Sequence, residues 1–270
     1  MELLEILGYA GALMIGLVLG LIGGGGSILT VPVMVYLLAL NPVTATAYSL
    51  FVVGSASLVG AGKNLQKGLV GFKTALAFAI PAVLSVYSTR RFIVPAIPEE
   101  IISFNGFTLT RDIGIMLFFA ILMLAASFSM IVDKEKLLAS KPSQEEKKET
   151  NLALLIPLGL LTGLITGLVG AGGGFIIIPI LVILAGLPMK KAVGTSLLII
   201  AINSLLGFLG DLGHLKVDWL FLLAFTALSV IGIFLGVYLS KFVNGHKLKK
   251  AFGWFVLVMG IYIIYKELTL

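Results

Sequence analysis

The chain has no cysteine and only two histidines, His214 and His246. The first absence removes disulfides, thiolate metal ligands and thiol nucleophiles. The two imidazoles stand 32 positions apart, not at the i, i+4 spacing of a helical zinc site, so no metal site is expected. Charge is scarce too, at 12% of residues against about a quarter in an average globular chain. None of the thirteen Asp and Glu residues falls in the middle of an apolar run, which weakens the case for a proton relay or cation carrier built on an intramembrane carboxylate. No buried Ser/His or Asp/Asp pairing suggests an intramembrane protease, so no enzyme is expected. The glycine-rich stretches lack the lysine of a phosphate-binding loop, and no cofactor is expected.

What is present is apolar: 59% hydrophobic residues, 32 glycines and a mean hydropathy of +1.12. A soluble domain of this size leaves roughly a quarter of its unfolded surface in water, too much for such a composition. Lipid is the expected solvent, and the bilayer the first partner. The net charge of +6 is scattered in short clusters between apolar runs, a pattern of membrane topology rather than of nucleic-acid binding. The acidic start, Met1-Glu2-Leu3-Leu4-Glu5, lacks the positive region of a secretory leader, so the first apolar stretch is expected to remain as a span.

Apolar runs fall at about 6–23, 27–40, 43–62, 72–94 and 113–132, then at 152–170, 175–187, 191–210, 218–240 and 250–266. Most reach the ~20 residues that cross ~30 Å of hydrocarbon. The second and seventh are shorter and contain Pro32 and Pro179, marking them as broken or re-entrant. Residues 133–151 carry ten charges, five of each sign, and read as a solvated cytoplasmic linker between membrane halves 1–132 and 152–270. A shift of 147 positions lays Gly16, Gly20, Gly23, Gly25, Gly26, Pro32, Ser49 and Ser57 on Gly163, Gly167, Gly170, Gly172, Gly173, Pro179, Ser196 and Ser204. Such register identifies an internal repeat. Threading ten segments places fourteen lysines, from Lys63 through the linker to Lys250, on one side, and Arg90, Arg91, Arg111, Lys216 and Lys266 on the other. The positive-inside rule then puts both termini outside. An odd number of passes per half makes the repeats inverted, an architecture of secondary transporters with a midplane site. The expected fold is an all-α integral membrane protein of about ten segments in two inverted repeats.

The two glycine clusters, Gly23–Gly26 with Ser27 and Gly170–Gly174, should be unwound turns, because glycine breaks helices and accepts left-handed dihedrals. Irregular backbone at membrane depth survives only where it is buried or lines a wet cavity. A helix starting after each cluster would aim unpaired N–H groups at an anion. Gly25, Gly26, Ser27, Gly172, Gly173 and Gly174 are therefore candidate substrate-binding residues. Ser49, Thr195, Ser196 and Asn203 bring further hydroxyl and amide groups into the apolar zone and join them. Asp211, His214 and Lys216 read as interfacial. Gly16-x-x-x-Gly20 and Gly163-x-x-x-Gly167 read as helix-packing motifs.

At these residues the sequence resembles the TauE/SafE sulfite exporter family, also grouped as toluenesulfonate uptake permeases. The resemblance rests on Gly167–Gly174 with Pro179, on Gly194-Thr195-Ser196-Leu197 leading to Asn203-Ser204, and on the first-half counterpart Gly20–Ser27 with Pro32 and Ser49. It implies a carrier of sulfite, sulfonates or related small organic anions across the cytoplasmic membrane. The alternative from the residues alone is a cation or neutral-metabolite carrier on the same scaffold, with carbonyls freed by proline as ligands.

Overall fold

The computed structural model describes residues 3–104, 107–131, 152–240, 242 and 245–269. The linker read at 133–151 lies outside the described residues. The first half comprises helices α1 (Leu3–Ile22), α2 (Gly24–Leu37), α3 (Pro42–Gln66), α4 (Phe72–Ala96) and α5 (Arg111–Ile131). The second comprises α6 (Leu152–Val169), α7 (Gly174–Ile183), α8 (Met189–Asp211), α9 (Trp219–Leu239) and α10 (Gly245–Thr269). These coincide with the ten expected segments. A small antiparallel hairpin, β1 (Glu100–Phe104) and β2 (Phe107–Thr110), joins α4 to α5 and was not anticipated. Its β-branched residues Ile101, Ile102, Thr108 and Thr110 favour the extended backbone.

Among the described residues, six helices are long and apolar enough to cross a membrane, while α1, α2, α6 and α7 are shorter in their apolar reach. The ten residues of α7 rise about 15 Å, half the hydrocarbon thickness. In the first half, α1 and α2 form a hairpin: Gly26 lies on Leu19, Gly11 on Val33 and Gly8 on Leu38. Each partner pair steps back along α1, so α2 returns toward the face where α1 began. The chain then alternates through α3, α4 and α5. Asn41 Nδ2 donates to Asp112 Oδ2 (2.6 Å) and Tyr36 Oη to Glu267 Oε1 (2.7 Å) on that same face. Gly25 meets Met130 and Phe252 toward the opposite face. Both ends of the described chain thus share one face, here the terminal face. The residues flanking the linker lie on the other, the linker face.

The two halves are related by a pseudo-two-fold exchange, visible in contacts that repeat when 147 is added to one residue and subtracted from its partner. Gly16 abuts the Ser229 carbonyl as Gly163 abuts that of Ala82. Gly60 meets Leu197 and Ile233 as Gly207 meets Leu50 and Val86. Helix α1 accordingly packs on α9 as α6 packs on α4, while α3 and α8 pair across the axis, as do α5 and α10. The small residues are what let these backbones approach, since helices in lipid associate by close packing rather than by hydrophobic exclusion. Outward-facing Phe92, Phe128, Leu220 and Tyr265 are exposed, as a lipid-facing surface requires.

Candidate functional site

The first glycine turn does not begin a new helix at Ser27. A 3-10 segment already runs over Gly24–Leu29, passes through Thr30–Pro32 and continues as a π turn over Val33–Leu37. Gly23, at φ +81° and ψ −141°, makes the break, a conformation open to glycine. Ser27 is buried and its Oγ donates to the Gly24 carbonyl at 2.7 Å. Gly25 faces Ile22, Met130 and Phe252, and Gly26 lies against the backbone of Leu19. The turn is therefore held mainly by its own chain and by α5 and α10.

The second turn has three left-handed glycines where the first has one. Gly170, Gly172 and Gly173 have φ of +73°, +67° and +72°, and α7 begins at Gly174 as expected. Among the described residues, the amides of Ala171, Gly172 and Gly173 make no main-chain hydrogen bond, although all three residues are buried. Consecutive amides around left-handed residues form a concavity suited to an anion, and the helix start adds its positive end. Gly174 touches Gly24 backbone to backbone, so the two breaks meet at the centre of the molecule.

Helices α3 and α8 wall this meeting point. A side chain on Gly170 would strike Thr46, and one on Gly172 would lie 2.7 Å from Val53 and 3.3 Å from Ser204 Oγ. Ser49 lies between Thr46 and Val53 on one helical face; it is fully buried, and its Oγ has no hydrogen-bond partner among the described residues. The same is true of Ser57 Oγ and Ser204 Oγ, and Asn203 Oδ1 is likewise unpartnered. Thr166 Oγ1, beside Gly173, is a further buried orphan. Buried polar atoms are almost always hydrogen-bonded, so this concentration marks a place with unused binding capacity.

Other candidates are already engaged. Ser196 Oγ donates to the Val193 carbonyl at 2.9 Å. Thr195 Oγ1 donates to the Lys191 carbonyl (2.6 Å) and accepts from the Gly71 amide (2.9 Å). It ties α8 to the α3–α4 connection near the linker face, away from the meeting glycines.

Sequence reasoning counted Arg90 among the loop cations and Asp211 as interfacial. In the structure Arg90 sits in a π-helical turn of α4, Thr89–Ile93, and is completely buried. Its Nη1 donates to Thr46 Oγ1 at 3.1 Å and stands 3.7 Å from Asp211 Oδ2 at the end of α8. Arg90 Nε and Nη2 have no partner among the described residues, nor does Asp211 Oδ2 within hydrogen-bond distance. An arginine inside an otherwise apolar run is the signal that would have found this pair. Asp211 also lines a cavity of about 300 Å³ on the terminal face, with Asn41, Thr44, Arg111 and His214. No cluster of metal-binding side chains occurs among the described residues.

Residues 8–263 match the family described as Sulfite exporter TauE/SafE. The chain belongs to this family. A probable membrane transporter protein of Xylella fastidiosa is 28% identical over 263 residues, covering 94% of this chain and 92% of the relative. One of Methanocaldococcus jannaschii is 33% identical over 127 residues, 43% and 48% of the two chains. A third, from Bacillus subtilis, is 25% identical over 232 residues, 86% and 87%. No solved structure matches. Family membership and the apolar helices together make the chain a multi-pass membrane transporter of TauE/SafE type.

Proposed function

We propose that the protein is a secondary transporter of small oxyanions, in the class of sulfite and organosulfonates, exporting them across the cytoplasmic membrane by alternating access. The observation that carries this reading is the unbonded amide run Ala171–Gly173 at the start of α7, walled by the unpartnered hydroxyls of Ser49 and Ser204. Hydrogen-bond donors and a helix N-terminus together replace the water around a negative solute. Gly172, Gly173 and Gly174 would supply backbone N–H groups, Ser49 its hydroxyl and Asn203 the Nδ2 donor of its side-chain amide. Gly25, Gly26, Ser27, Thr195 and Ser196 would act mainly by holding the two turns and the helices beside them. The two-fold contacts between halves suit rocking of one against the other about this centre.

A cation carrier is less favoured, because the buried carboxylate Asp211 lies 3.7 Å from the guanidinium of Arg90, whose charge opposes a cation there. With the lysine-rich linker face in the cytoplasm, export of a monoanion from a negative interior gains about 2.3 kcal/mol per 100 mV, so no coupling ion is required. Proteoliposomes with a clamped potential test both points: sulfite, sulfate, methanesulfonate and acetate flux should follow voltage. Flux of none of these, or flux set only by a sodium or proton gradient, would overturn the reading.

A further inference from the structure

We infer that Arg90 is an anion-binding residue whose Nε/Nη2 edge receives the oxyanion, with Asp211, at the Nη1 end, as the carboxylate that competes for the same positive charge. This rests on the anion-transport reading and names the side chain that would select the substrate. The guanidinium has two edges suited to oxyanions. One of its ends, Nη1, is held by Thr46 Oγ1 and by Asp211 across a loose 3.7 Å gap. The Nε and Nη2 donors, which lie along one side of the planar group, have no acceptor among the described residues although Arg90 is fully buried. That side is the geometry that pairs bidentately with carboxylate, sulfonate or sulfite oxygens. A buried cation with unused donors and a buried carboxylate oxygen without a donor are each costly alone. One oxyanion on the free edge would satisfy the unused donors of the arginine and share its charge with Asp211.

The surroundings place the Arg90 side chain between residues that line a solvent cavity and residues that pack on the central turn. Asp211 lines the cavity of about 300 Å³ on the terminal face, where Arg111 and His214 add basic groups. Thr46, the hydroxyl partner of Arg90, is the residue on which Gly170 packs. Arg90 therefore stands between the vestibule and the glycine turn. The repeat does not duplicate it: a shift of 147 turns Arg90 into Val237 and Thr46 into Val193, and Asp211 answers to Asn64. A pair needed only to lock helix to helix would serve both halves, whereas a single cation makes one end of the pathway selective for charge.

The test uses purified full-length protein and two variants. Arg90→Lys keeps a positive charge beside Asp211 but removes the planar edge; Asp211→Asn removes the competing carboxylate. Thermal stability is followed in sodium sulfite, in sodium methanesulfonate and in sodium chloride at matched ionic strength, and sulfite flux is measured in proteoliposomes. Wild type should be stabilised by the oxyanions over chloride. Arg90→Lys should lose that stabilisation and at least tenfold of the flux. Asp211→Asn should be less stable in chloride, recover in sulfite, and reach half-maximal stabilisation at lower sulfite than wild type. If Arg90→Lys folds and keeps the wild-type oxyanion response, or if sulfite fails to rescue Asp211→Asn, the pair is a structural latch and the inference is wrong. A wild type indifferent to every oxyanion overturns the transport reading as well, which separates the two failures.

Discussion

At the scale of single residues, the central turn should respond to substitution in a way that separates backbone from side chain. Gly172→Ala places a methyl in a left-handed conformation costing about 1–2 kcal/mol and 2.7 Å from Val53. Its expected outcome in proteoliposomes is a drop of at least tenfold in anion flux with the protein still folded. Gly62→Ala is the control, because none of the described residues would lie within 4 Å of the added methyl and helix propensity favours alanine by about 1 kcal/mol. Ser204→Ala makes the sharper case. Its hydroxyl is buried with no partner among the described residues, so removing it relieves a desolvation cost of about 1–3 kcal/mol. Thermal stability should stay level or rise while sulfite flux falls; unchanged flux would assign Ser204 to packing alone.

At the scale of elements, the glycines of α1 and α6 act as contact surfaces. Gly163 lies on the carbonyl of Ala82 and Gly16 on that of Ser229, so Gly163→Leu must separate α6 from α4 by the width of a side chain. Loss of monodisperse protein in detergent is expected, since lipid offers no hydrophobic gain to offset the lost packing. The start of α3 is held by Asn41, whose Oδ1 accepts from the amides of Val43 (2.9 Å) and Thr44 (3.4 Å). Asn41→Ala should lower stability by about 1 kcal/mol, read as a fall in melting temperature. These elements were largely legible in the sequence: glycine spacing gave the packing faces, and Pro32 and Pro179 marked the short helices. The hairpin at Glu100–Thr110 was not, because its strands are brief and sit in a connection where hydropathy carries no period.

At the scale of the whole molecule, the pseudo-two-fold exchange and the placement of both described ends on one face make a topology that labelling can check. The absence of cysteine makes single-cysteine variants clean reporters. Lys67→Cys lies in the α3–α4 connection and Ser103→Cys in the β hairpin. In sealed cells or oriented vesicles they should react with an impermeant maleimide from opposite sides, Ser103→Cys from outside. Reaction of both from one side would mean that α4 does not cross, and the alternation of the first half would fail.

The sequence by itself determined the solvent, the ten segments, the duplication and the two glycine breaks, because hydropathy, backbone freedom and register are properties of neighbouring residues. Only the tertiary structure decided which groups are spare and which are spent. Thr195 is committed by an amide 124 positions away, and Arg90 is drawn inside by Thr46 and Asp211 from two other helices. Gly24 and Gly174 meet because the halves cross. Burial and hydrogen-bond balance depend on partners distant in the chain, and no local pattern records which partner arrives.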